Sequence, residues 1–484
     1  MNLAAAIEAH PADAPALVSG GEVTSYGQLR SQVAQVRGAL VARGVAPGDR
    51  IAIVAPNGRP FVAAYLGVLG VGAVAVPLNP LSPPPELERE LGMVDARLTL
   101  ADRVGGGPAL GEVVAIADIA DLLGAEPAPL VDRADDDAAV LLFTSGTAGL
   151  PRAAMLTHGN LRANIEQVRA GPGGGATTPD DVALGVIPLF HIFGLNAVLG
   201  LALTVGSSVV LVDRFDPTAT LDLIAEHKVT VVSGVPTMWR AWAELPPASG
   251  DADANPMASV RLAVSGAAPL DPAVRRAVAA RYGVELAEGY GLTEASPVVT
   301  SGAGLDAPDG SIGVPLPGLR VRLIDRFGED ALIGDPGEIW VHGPNVFAGY
   351  WNDAEATRVA LTEDGWLRTG DLAVVDDDGF LRLVDRAKDV IIVSGFNVVP
   401  AEVEAVLVRH PDIAEAAVVG VPHPHTGEAV KAFVVPVPGA TIEGGAVVEY
   451  TSRHLARYKC PSTVAVVDRL PHGLTGKLLR RELR

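Results

Sequence analysis

The repeated alternation of helix-period segments with short apolar runs constrains the fold of this chain more than any other feature. Ser25 and Gln28 have the spacing of a capping box, apolar residues then recur at helical spacing over 29–40, and Gly44 is placed to end that helix. Short apolar runs predict buried strands at 51–55, 73–76, 140–143, 183–187, 208–212, 229–233 and 261–265. Strands that alternate with helices predict largely parallel sheets covered by helices.

The sequence texture changes after about residue 311. The segments 321–324, 338–342 and 380–384 are short, alternating and separated by turns, which predicts antiparallel strands in a β-barrel-like part. A chain of 484 residues is also too long for one ordinary hydrophobic core. The predicted fold is therefore α/β, with a large N-terminal domain over 1–386 and a small, mobile α+β domain over 387–484.

Charge, cysteine content and hydropathy limit the partners and the cellular location expected for this chain. The net charge of −20 disfavours nucleic acid and anionic lipid surfaces, so no nucleic-acid partner is expected. The single cysteine, Cys460, permits no intramolecular disulfide, and the first residues lack the basic region of a signal peptide, which together predict a cytoplasmic protein. The most apolar stretch, 197–212, is predicted to be a buried helix followed by a buried strand, so no transmembrane segment is expected. Oligomeric state stays open, a homodimer included.

A loop rich in glycine and hydroxyl groups follows the predicted strand at 140–143. It reads Thr-Ser-Gly-Thr-Ala-Gly-Leu-Pro-Arg over 144–152. Glycines expose backbone N–H groups, hydroxyls donate further hydrogen bonds and Arg152 carries a charge, which suits a phosphate. The Gly-Lys-Ser/Thr ending of a Walker loop is missing. Taken alone, such a loop is more often an ordinary turn.

This loop opens an ordered series of motifs that resembles the adenylate-forming superfamily. That superfamily includes acyl-CoA synthetases, luciferase-like enzymes and the adenylation domains of nonribosomal peptide synthetases, and the chain is most similar to the fatty-acyl-CoA synthetases. The further motifs begin at Pro188, Gly234, Ser265, Glu288, Gly365, Asp385 and Leu474. Their order and spacing over almost the whole chain are far more specific than any one of them.

The resemblance implies roles for individual residues. The residues implied in catalysis are Lys477, Glu294, Thr293 and His191. Those implied in binding ATP or AMP are Thr144, Ser145, Gly146, Thr147, Gly149, Arg152, Gly266, Ala267, Ala268, Glu288, Gly289, Tyr290, Gly291, Asp371 and Arg386. Glu294 and Thr147 are implied in binding Mg²⁺, Lys388 in the hinge, and Val235 and Trp239 in the acyl pocket. The thiol of coenzyme A is expected to meet Ser394, Gly395 and Phe396.

The implied reaction explains why such residues are needed. A carboxylate that attacks the α-phosphate of ATP brings two anions together, so positive charge and hydrogen-bond donors must stabilise the phosphorus and the departing pyrophosphate. The product, an acyl-adenylate, is reactive enough for direct attack by a thiol, which agrees with the absence of a G-x-S-x-G nucleophile motif. Lys477 is one of only five lysines, and it offers a compact ammonium for the reacting centre.

Three residues depart from the usual loop of the superfamily. Ala148 replaces a hydroxyl, which removes a phosphate donor worth about 1 kcal/mol if it is used. Arg152 replaces lysine and keeps the charge with a different geometry, while Ala153 replaces glycine. The expectation is an active loop with altered ATP affinity.

The resemblance implies ATP, coenzyme A and a carboxylic acid as substrates, with a medium- or long-chain fatty acid as the first choice and an aryl or alicyclic acid as the second. Trp239 resembles a tryptophan that gates the acyl tunnel of some long-chain synthetases, although a packed core residue is the commoner role for such a tryptophan. The alternatives are transfer to an acyl carrier protein, a luciferase-like oxygenase, or a nucleotide-binding protein without catalysis.

Overall fold

The computed structural model describes residues 1–102, 112–116, 122–145, 151–172, 177–246, 255–386, 391–393, 396–398, 400–423, 427–455, 457–472 and 478–483. In chain order, helices α1 to α11 are Tyr26–Ala42, Arg59–Gly70, Pro84–Val94, His158–Ala170, Leu201–Val205, Pro217–Glu226, Pro236–Glu244, Pro272–Tyr282, Ala354–Ala360, Pro400–Leu407 and Gly444–Ser452. Strands β1 to β12 are Pro15–Ser19, Glu22–Ser25, Arg50–Val54, Val74–Leu78, Leu98–Ala101, Glu112–Ala115, Ala138–Ser145, Pro151–Thr157, Val182–Gly185, Ser208–Leu211, Val231–Gly234 and Leu262–Ser265. Strands β13 to β24 are Leu286–Gly291, Val298–Ser301, Val314–Pro315, Arg320–Ile324, Gly337–His342, Leu367–Val375, Leu381–Arg386, Ile391–Val393, Phe396–Val398, Ile413–His423, Gly427–Pro436 and Thr463–Val466.

The chain forms two compact units. The first contains Met1–Gly266, Leu270–Val321 and Val341–Arg368, and the second contains Ala267–Pro269, Arg322–Trp340 and Thr369–Arg484. The domain boundary between residues 386 and 387 stays a prediction from the sequence. Within the described residues, no helix combines the length and the apolar character that a membrane span requires.

The first unit contains two sheets with parallel centres. The larger has the strand order β15-β14-β13-β12-β11-β9-β10-β1-β2, and it is parallel from β13 to β1, with antiparallel strands added at both edges. The smaller has the order β6-β5-β3-β4-β7-β8 and is parallel except for the β7–β8 pair. The prediction of largely parallel sheets covered by helices is confirmed.

Local sequence signals position the helices of this unit. The Ser25 side chain accepts a hydrogen bond from the Gln28 N–H while the Gln28 side chain accepts one from the Ser25 N–H, so the predicted capping box starts α1. Gly44 has a φ of +71°, which suits the residue after the helix end. Residues 193–200 form a π-helix that continues directly into α5 and then β10, so the predicted buried helix followed by a strand is confirmed.

The second unit holds a small sheet that is antiparallel except for the β23–β24 pair. The unit includes most of a four-stranded sheet of order β16-β17-β18-β19, together with this small sheet of order β21-β20-β23-β22 in which β24 pairs with β23. Strands β22 and β23 pair antiparallel from Ile413 opposite Pro436 to His423 opposite Gly427. Helices α10 and α11 cover apolar side chains from these strands, including Val418, Val430 and Val434.

Candidate active site

The glycine-rich loop connects two antiparallel strands. Thr144 at the end of β7 lies opposite Arg152 at the start of β8, and Ser145 lies opposite Pro151. The loop between them, 146–150, contains the predicted phosphate-binding residues Gly146, Thr147 and Gly149, which lie outside the described residues. The strand pair therefore fixes both ends of the loop.

Arg152 is held on two sides by residues of the first unit. Its Nε lies 3.3 Å from Oδ2 of Asp353, and its guanidinium carbon lies 5.6 Å from the ring centroid of Tyr350. Asp353 also caps α9, since its Oδ1 accepts the N–H of Ala356 at 2.9 Å. The cation that replaces the usual lysine of this loop is thus oriented by an ion pair and an aromatic ring.

Glu294 lies in a short 3₁₀ turn, Thr293–Ala295, that follows β13. Its carboxylate Oε1 accepts a hydrogen bond of 2.7 Å from the Tyr350 hydroxyl, and its backbone C=O accepts one of 2.9 Å from the N–H of Phe347. Tyr350 consequently contacts both Glu294 and Arg152, which connects the predicted metal-binding carboxylate with the strand that follows the glycine-rich loop.

Buried asparagines fix the turn that carries Thr293 and Glu294. Asn345 donates from Nδ2 to the C=O of Ala295 at 2.7 Å, and Asn196 donates to the C=O of Ser296 at 2.7 Å. Asn164 donates to the C=O of Val298 and accepts from its N–H. Buried asparagine side chains therefore satisfy the backbone of this turn and of the residues that follow it.

Two glycines allow neighbouring backbone to approach β13 closely on either side of the predicted adenine-binding residue. A Cβ on Gly289 would lie 2.9 Å from the C=O oxygen of Thr300, and one on Gly291 would lie 2.2 Å from that of Pro297. Tyr290 between them is buried at 8% exposure. The Gly-Tyr-Gly spacing therefore reflects a strand, β13, that is crowded on the side facing β14.

The carboxylate of Glu288 already has partners within the first unit. It lies 2.9 Å from Nη2 of Arg275 and accepts the N–H of Leu270 at 3.1 Å. Burial raises the pKa of Glu288, and the hydrogen bond from Leu270 and the charge of Arg275 oppose that shift. Its nucleotide-binding role stays a prediction, and these contacts indicate that its side chain supports the β12–α8 connection.

His191 follows a segment that Asn57 holds in place. Asn57 donates from Nδ2 to the C=O of Gly185 and of Ile187, and its Oδ1 accepts the N–H of Leu189 at 2.8 Å. Nε2 of His191 is buried and has no hydrogen-bond partner among the described residues. Burial lowers the pKa of His191 to about 4, so the imidazole is neutral at neutral pH.

The predicted acyl-pocket residues lie in one apolar cluster. Val235 precedes α7, and Trp239 on its first turn is fully buried, with its ring centroid 5.0 Å from that of Trp242. A Cβ on Gly234 would lie 2.8 Å from the Trp239 Nε1, and one on Gly266 would lie 3.1 Å from the ring of Phe193. Two glycines at the ends of β11 and β12 thus leave room for aromatic side chains.

Two further polar atoms in this region have no hydrogen-bond partner among the described residues. They are Nε1 of Trp239 and Oγ of Ser265, and both are buried. Ser265 lies opposite Gly234 in the β11–β12 pair, and Gly266 donates its N–H to the Gly234 C=O at 3.1 Å. Buried polar groups normally have partners, and a ligand that reached these two atoms would supply them. Beyond Gly266, Ala267 has a φ of +70°, unusual for a residue with a side chain, and Ala268 follows it.

In the second unit, the two predicted ribose-binding residues are cross-strand partners. Asp371 on β18 lies opposite Arg386 on β19, and the N–H of Asp371 donates to the Thr369 hydroxyl at 3.1 Å. That hydroxyl donates in turn to the C=O of Ile339. Phe396 belongs to β21, whereas Lys388, Ser394, Gly395 and Lys477 lie outside the described residues.

Sequence reasoning missed three residues that hold predicted site residues in place. They are Tyr350, Asp353 and Asn57. Asp353 precedes a short helix and has the character of an N-cap, but nothing local indicates a pairing with Arg152. Tyr350 lies 56 residues from Glu294 in the chain, so only the folded structure reveals their hydrogen bond. The one local signal in the sequence is the glycine before Tyr350. Glycine is the residue type that favours a positive φ, and Gly349 has a φ of +121°.

A single carboxylate is a suitable protein ligand for magnesium carried by a nucleotide. Among the described residues, no cluster of three or more His, Cys, Asp or Glu side chains is arranged to hold a metal ion. Magnesium at nucleotide sites typically keeps waters and substrate phosphates as ligands, with one or two protein carboxylates. Glu294 therefore fits MgATP as a substrate better than a permanently bound metal.

Comparison with known proteins identifies the family. The model of the AMP-binding enzyme family matches residues 3–351, and the model of the AMP-binding enzyme C-terminal domain matches residues 402–477. The chain belongs to the AMP-binding enzyme family, as the motif series predicts.

Individual relatives cover nearly the whole chain. It is 40% identical to a feruloyl-CoA synthase from Amycolatopsis sp over 97% of this chain and 95% of the relative. It is 35% identical to a long-chain-fatty-acid–CoA ligase from Yersinia pestis over 98% and 92%.

Solved structures show the same fold. The ATP-bound MatB from Rhodopseudomonas palustris matches with a TM-score of 0.91 and 33% identity, covering 100% of this chain and 98% of that one. The o-succinylbenzoate CoA synthetase MenE from Bacillus subtilis, in complex with its acyl-adenylate intermediate, matches with a TM-score of 0.89 and 30% identity, again over 100% and 98%. The predicted adenylate-forming fold, with a large and a small domain, is confirmed.

Proposed function

We propose that this protein is an ATP-dependent, AMP-forming acid–CoA ligase. The observation that carries the proposal is the contact series Arg152–Tyr350–Glu294, which joins the strand after the glycine-rich loop to the turn after β13 within one unit. These are the two elements expected to handle the phosphates and the magnesium of MgATP. The relatives named as CoA ligases and CoA synthases support the same class.

The proposed reaction has two steps. In the first, an oxygen of the acid carboxylate bonds to the α-phosphorus of MgATP while the bond to the β-phosphate oxygen breaks, giving an acyl-adenylate and pyrophosphate. In the second, the sulfur of coenzyme A bonds to the acyl carbon, AMP leaves and the thiol proton passes to solvent. Stabilisation of charge at phosphorus is the main demand on the protein.

The predicted site residues divide between these steps. Glu294 and Thr147 hold the magnesium of MgATP, Thr293 contacts phosphate, Tyr290 stacks on adenine, and Asp371 with Arg386 binds the ribose. Lys477 stabilises the first transition state, and the small domain then turns about Lys388 so that Ser394, Gly395 and Phe396 approach the thiol. His191, neutral at neutral pH, contacts the carboxylate by hydrogen bonding and not as a cation.

For the acid itself, we propose a compact aryl or alicyclic acid. Trp239 is packed against Gly234 and Trp242, which supports a closed end of the pocket. Its unpartnered Nε1–H, with the unpartnered hydroxyl of Ser265, suits an aryl acid that carries an oxygen substituent. The feruloyl-CoA synthase relative acts on an acid of this kind.

A medium- or long-chain fatty acid, the first expectation from the sequence, is the second candidate. The apolar surroundings of Val235, Met238 and Phe193 favour an alkyl chain, and the Yersinia pestis relative acts on long-chain fatty acids. This candidate requires Trp239 to leave its packed position.

A substrate screen tests the function. Purified protein is incubated with MgATP and a panel of hydroxylated cinnamic and benzoic acids, alicyclic acids and saturated fatty acids, and pyrophosphate release is measured with and without coenzyme A. We expect acid-dependent pyrophosphate release and a CoA thioester, with aryl acids fastest. No acid-dependent pyrophosphate from any acid would mean a nucleotide-binding protein without catalysis.

Two additions sharpen the screen. A phosphopantetheinylated carrier protein replaces coenzyme A in a parallel series, and acylation of it alone would identify a carrier-protein ligase. Lys477→Ala is expected to lose adenylation far more than thioester formation from preformed acyl-adenylate, while Lys431→Ala serves as a lysine control in the same unit. Equal loss in both half-reactions would contradict the role proposed for Lys477.

A further inference from the structure

Tyr350 is fixed independently of the carboxylate that it contacts. Its backbone pairs with Ala154 of β8, and its N–H donates to the Thr357 hydroxyl at 2.9 Å. Its ring packs edge-on against Phe347 with centroids 4.9 Å apart, and Phe347 is buried at 2% exposure. The backbone and the ring of Tyr350 are therefore held by β8, α9 and Phe347 without any contribution from Glu294.

The Tyr350 hydroxyl acts on one oxygen of the Glu294 carboxylate. The 2.7 Å hydrogen bond to Oε1 fixes the rotation of that carboxylate, because a glutamate side chain otherwise samples several rotamers. Among the described residues, no other side chain donates to this carboxylate, so Oε2 has no competing side-chain donor in that part of the chain. A tyrosine hydroxyl carries its proton at neutral pH and can therefore donate to this carboxylate.

Arg152 also contacts the Tyr350 ring. Its guanidinium carbon lies 5.6 Å from the Tyr350 ring centroid, and its Nε lies 3.3 Å from Oδ2 of Asp353. Asp353 is the N-cap of α9, the helix whose Thr357 hydroxyl accepts the Tyr350 N–H. The residue that departs from the usual loop thus has a specific partner. A lysine ammonium lacks the planar face that stacks on an aromatic ring.

We propose that Tyr350 is a positioning residue that holds the Glu294 carboxylate in the orientation that binds the magnesium of MgATP, with Arg152 supporting its ring. This inference rests on the proposed function, in which Glu294 contacts that magnesium. Tyr350 touches neither phosphate nor acid in this role, so its effect appears in magnesium-dependent nucleotide binding.

Tyr350→Phe removes the hydroxyl and keeps the ring. Isothermal titration calorimetry is run with ATP in the presence of Mg²⁺ and again in EDTA, without acid so that no turnover occurs. We expect roughly three- to tenfold weaker MgATP binding and unchanged binding in EDTA, since only the magnesium-bound complex uses the Glu294 orientation. The Mg²⁺ concentration for half-maximal pyrophosphate release should rise by a similar factor, with the KM for the acid unchanged.

Tyr26→Phe is the matched control. It also removes a buried tyrosine hydroxyl, one that donates to the Ser207 C=O at 2.9 Å, and it should leave nucleotide binding unchanged. Equal affinity of Tyr350→Phe and wild type for MgATP would overturn the inference, and so would equal weakening with and without Mg²⁺. Failure of the wild type to bind ATP more tightly with Mg²⁺ would instead refute the proposed function, and with it this inference.

A double-mutant cycle gives an answer even if Tyr350→Phe lowers stability. Glu294→Gln removes the charge that binds magnesium, so Tyr350→Phe should add no further loss of MgATP affinity in that background. A loss of the same size in both backgrounds would show that Tyr350 acts independently of Glu294 and would contradict the proposal.

Discussion

The indole nitrogen of Trp239 lies directly against the backbone of Gly234. A Cβ built on Gly234 would lie 2.8 Å from Nε1 and 3.0 Å from Cε2, closer than Cβ atoms normally approach any atom. Trp239 is also fully buried beside Trp242. The absence of a side chain at Gly234 is therefore what permits the position of Trp239.

Gly234→Ala should displace the Trp239 ring and disturb the acid site. We expect the KM for the acid to rise about fivefold or more, while the KM for ATP changes little, because the added methyl group overpacks the acyl region only. Steady-state kinetics with each substrate varied in turn will measure this. Gly92→Ala is the control, since a Cβ there meets nothing within 4 Å. Faster turnover of long-chain acids by Gly234→Ala would indicate a gate that opens and would contradict a closed pocket end.

Trp239→Leu should enlarge the pocket at the same point. If the ring closes the pocket, the ratio of kcat/KM for a long-chain fatty acid to that for a cinnamic acid should increase by about tenfold or more, since pocket depth discriminates acids by size. Competition assays with paired acids give this ratio directly. Trp242→Leu, equally buried but with its Nε1 bonded to the Pro217 C=O, controls for lost stability. An unchanged ratio would show that Trp239 is only a core residue.

Loss of Arg152 should weaken ATP binding, whereas loss of the Asp353 charge should not. Arg152→Gln removes a cation near the phosphate loop and should raise the KM for ATP several-fold. Asp353→Asn keeps an N-cap oxygen for α9 but removes the charge that competes for the guanidinium, so the KM for ATP should stay level or fall. Both side chains are partly exposed, so effects on stability should be small. Matching increases in KM for both variants, measured by ATP titration at saturating acid, would mean that the ion pair is needed intact.

Periodicity and turn chemistry predicted most of the first unit. Strands β3, β4, β7, β10 and β12 fall where short apolar runs indicate them, with ends shifted by one or two residues. Strand β8 was missed because its sequence, PRAAMLT, has no clear alternation and follows a loop that favours a turn. Its strand character comes from pairing with β7, a tertiary contact that local sequence does not encode.

The candidate site was predictable only as a set of motifs. The motifs named Glu294 and Arg152, but the predicted loop included Arg152, which lies on β8. The connection of both residues through Tyr350 depends on the chain segment 347–351 lying along β8. The contact between Trp239 and Gly234 joins the end of β11 to the start of α7, so it also depends on how two elements pack. Sequence patterns report which face a residue occupies, whereas side-chain partners depend on packing between elements.

His158 should make the stability of the protein decrease in mild acid. It is fully buried at the start of α4, its Nδ1 accepts the N–H of Leu3 at 3.1 Å, and burial, with the nearby charge of Arg133, lowers its pKa to about 4. The folded-state pKa lies below the ordinary value of 6.5, so protons bind the unfolded chain more readily. The contribution of His158 is complete above pH 6.5 and is lost progressively as the pH falls towards 4, with about 2 kcal/mol lost by pH 5.

Urea denaturation at pH 7 and pH 5 tests this expectation. His158→Gln, which can still accept the N–H of Leu3 without titrating, should reduce the difference in stability between the two pH values by about 2 kcal/mol. His454→Gln, at an exposed position of α11's C-terminal flank, should leave that difference unchanged. If His158→Gln loses as much stability between pH 7 and pH 5 as the wild type does, other groups cause the acid sensitivity and the buried imidazole is not its source.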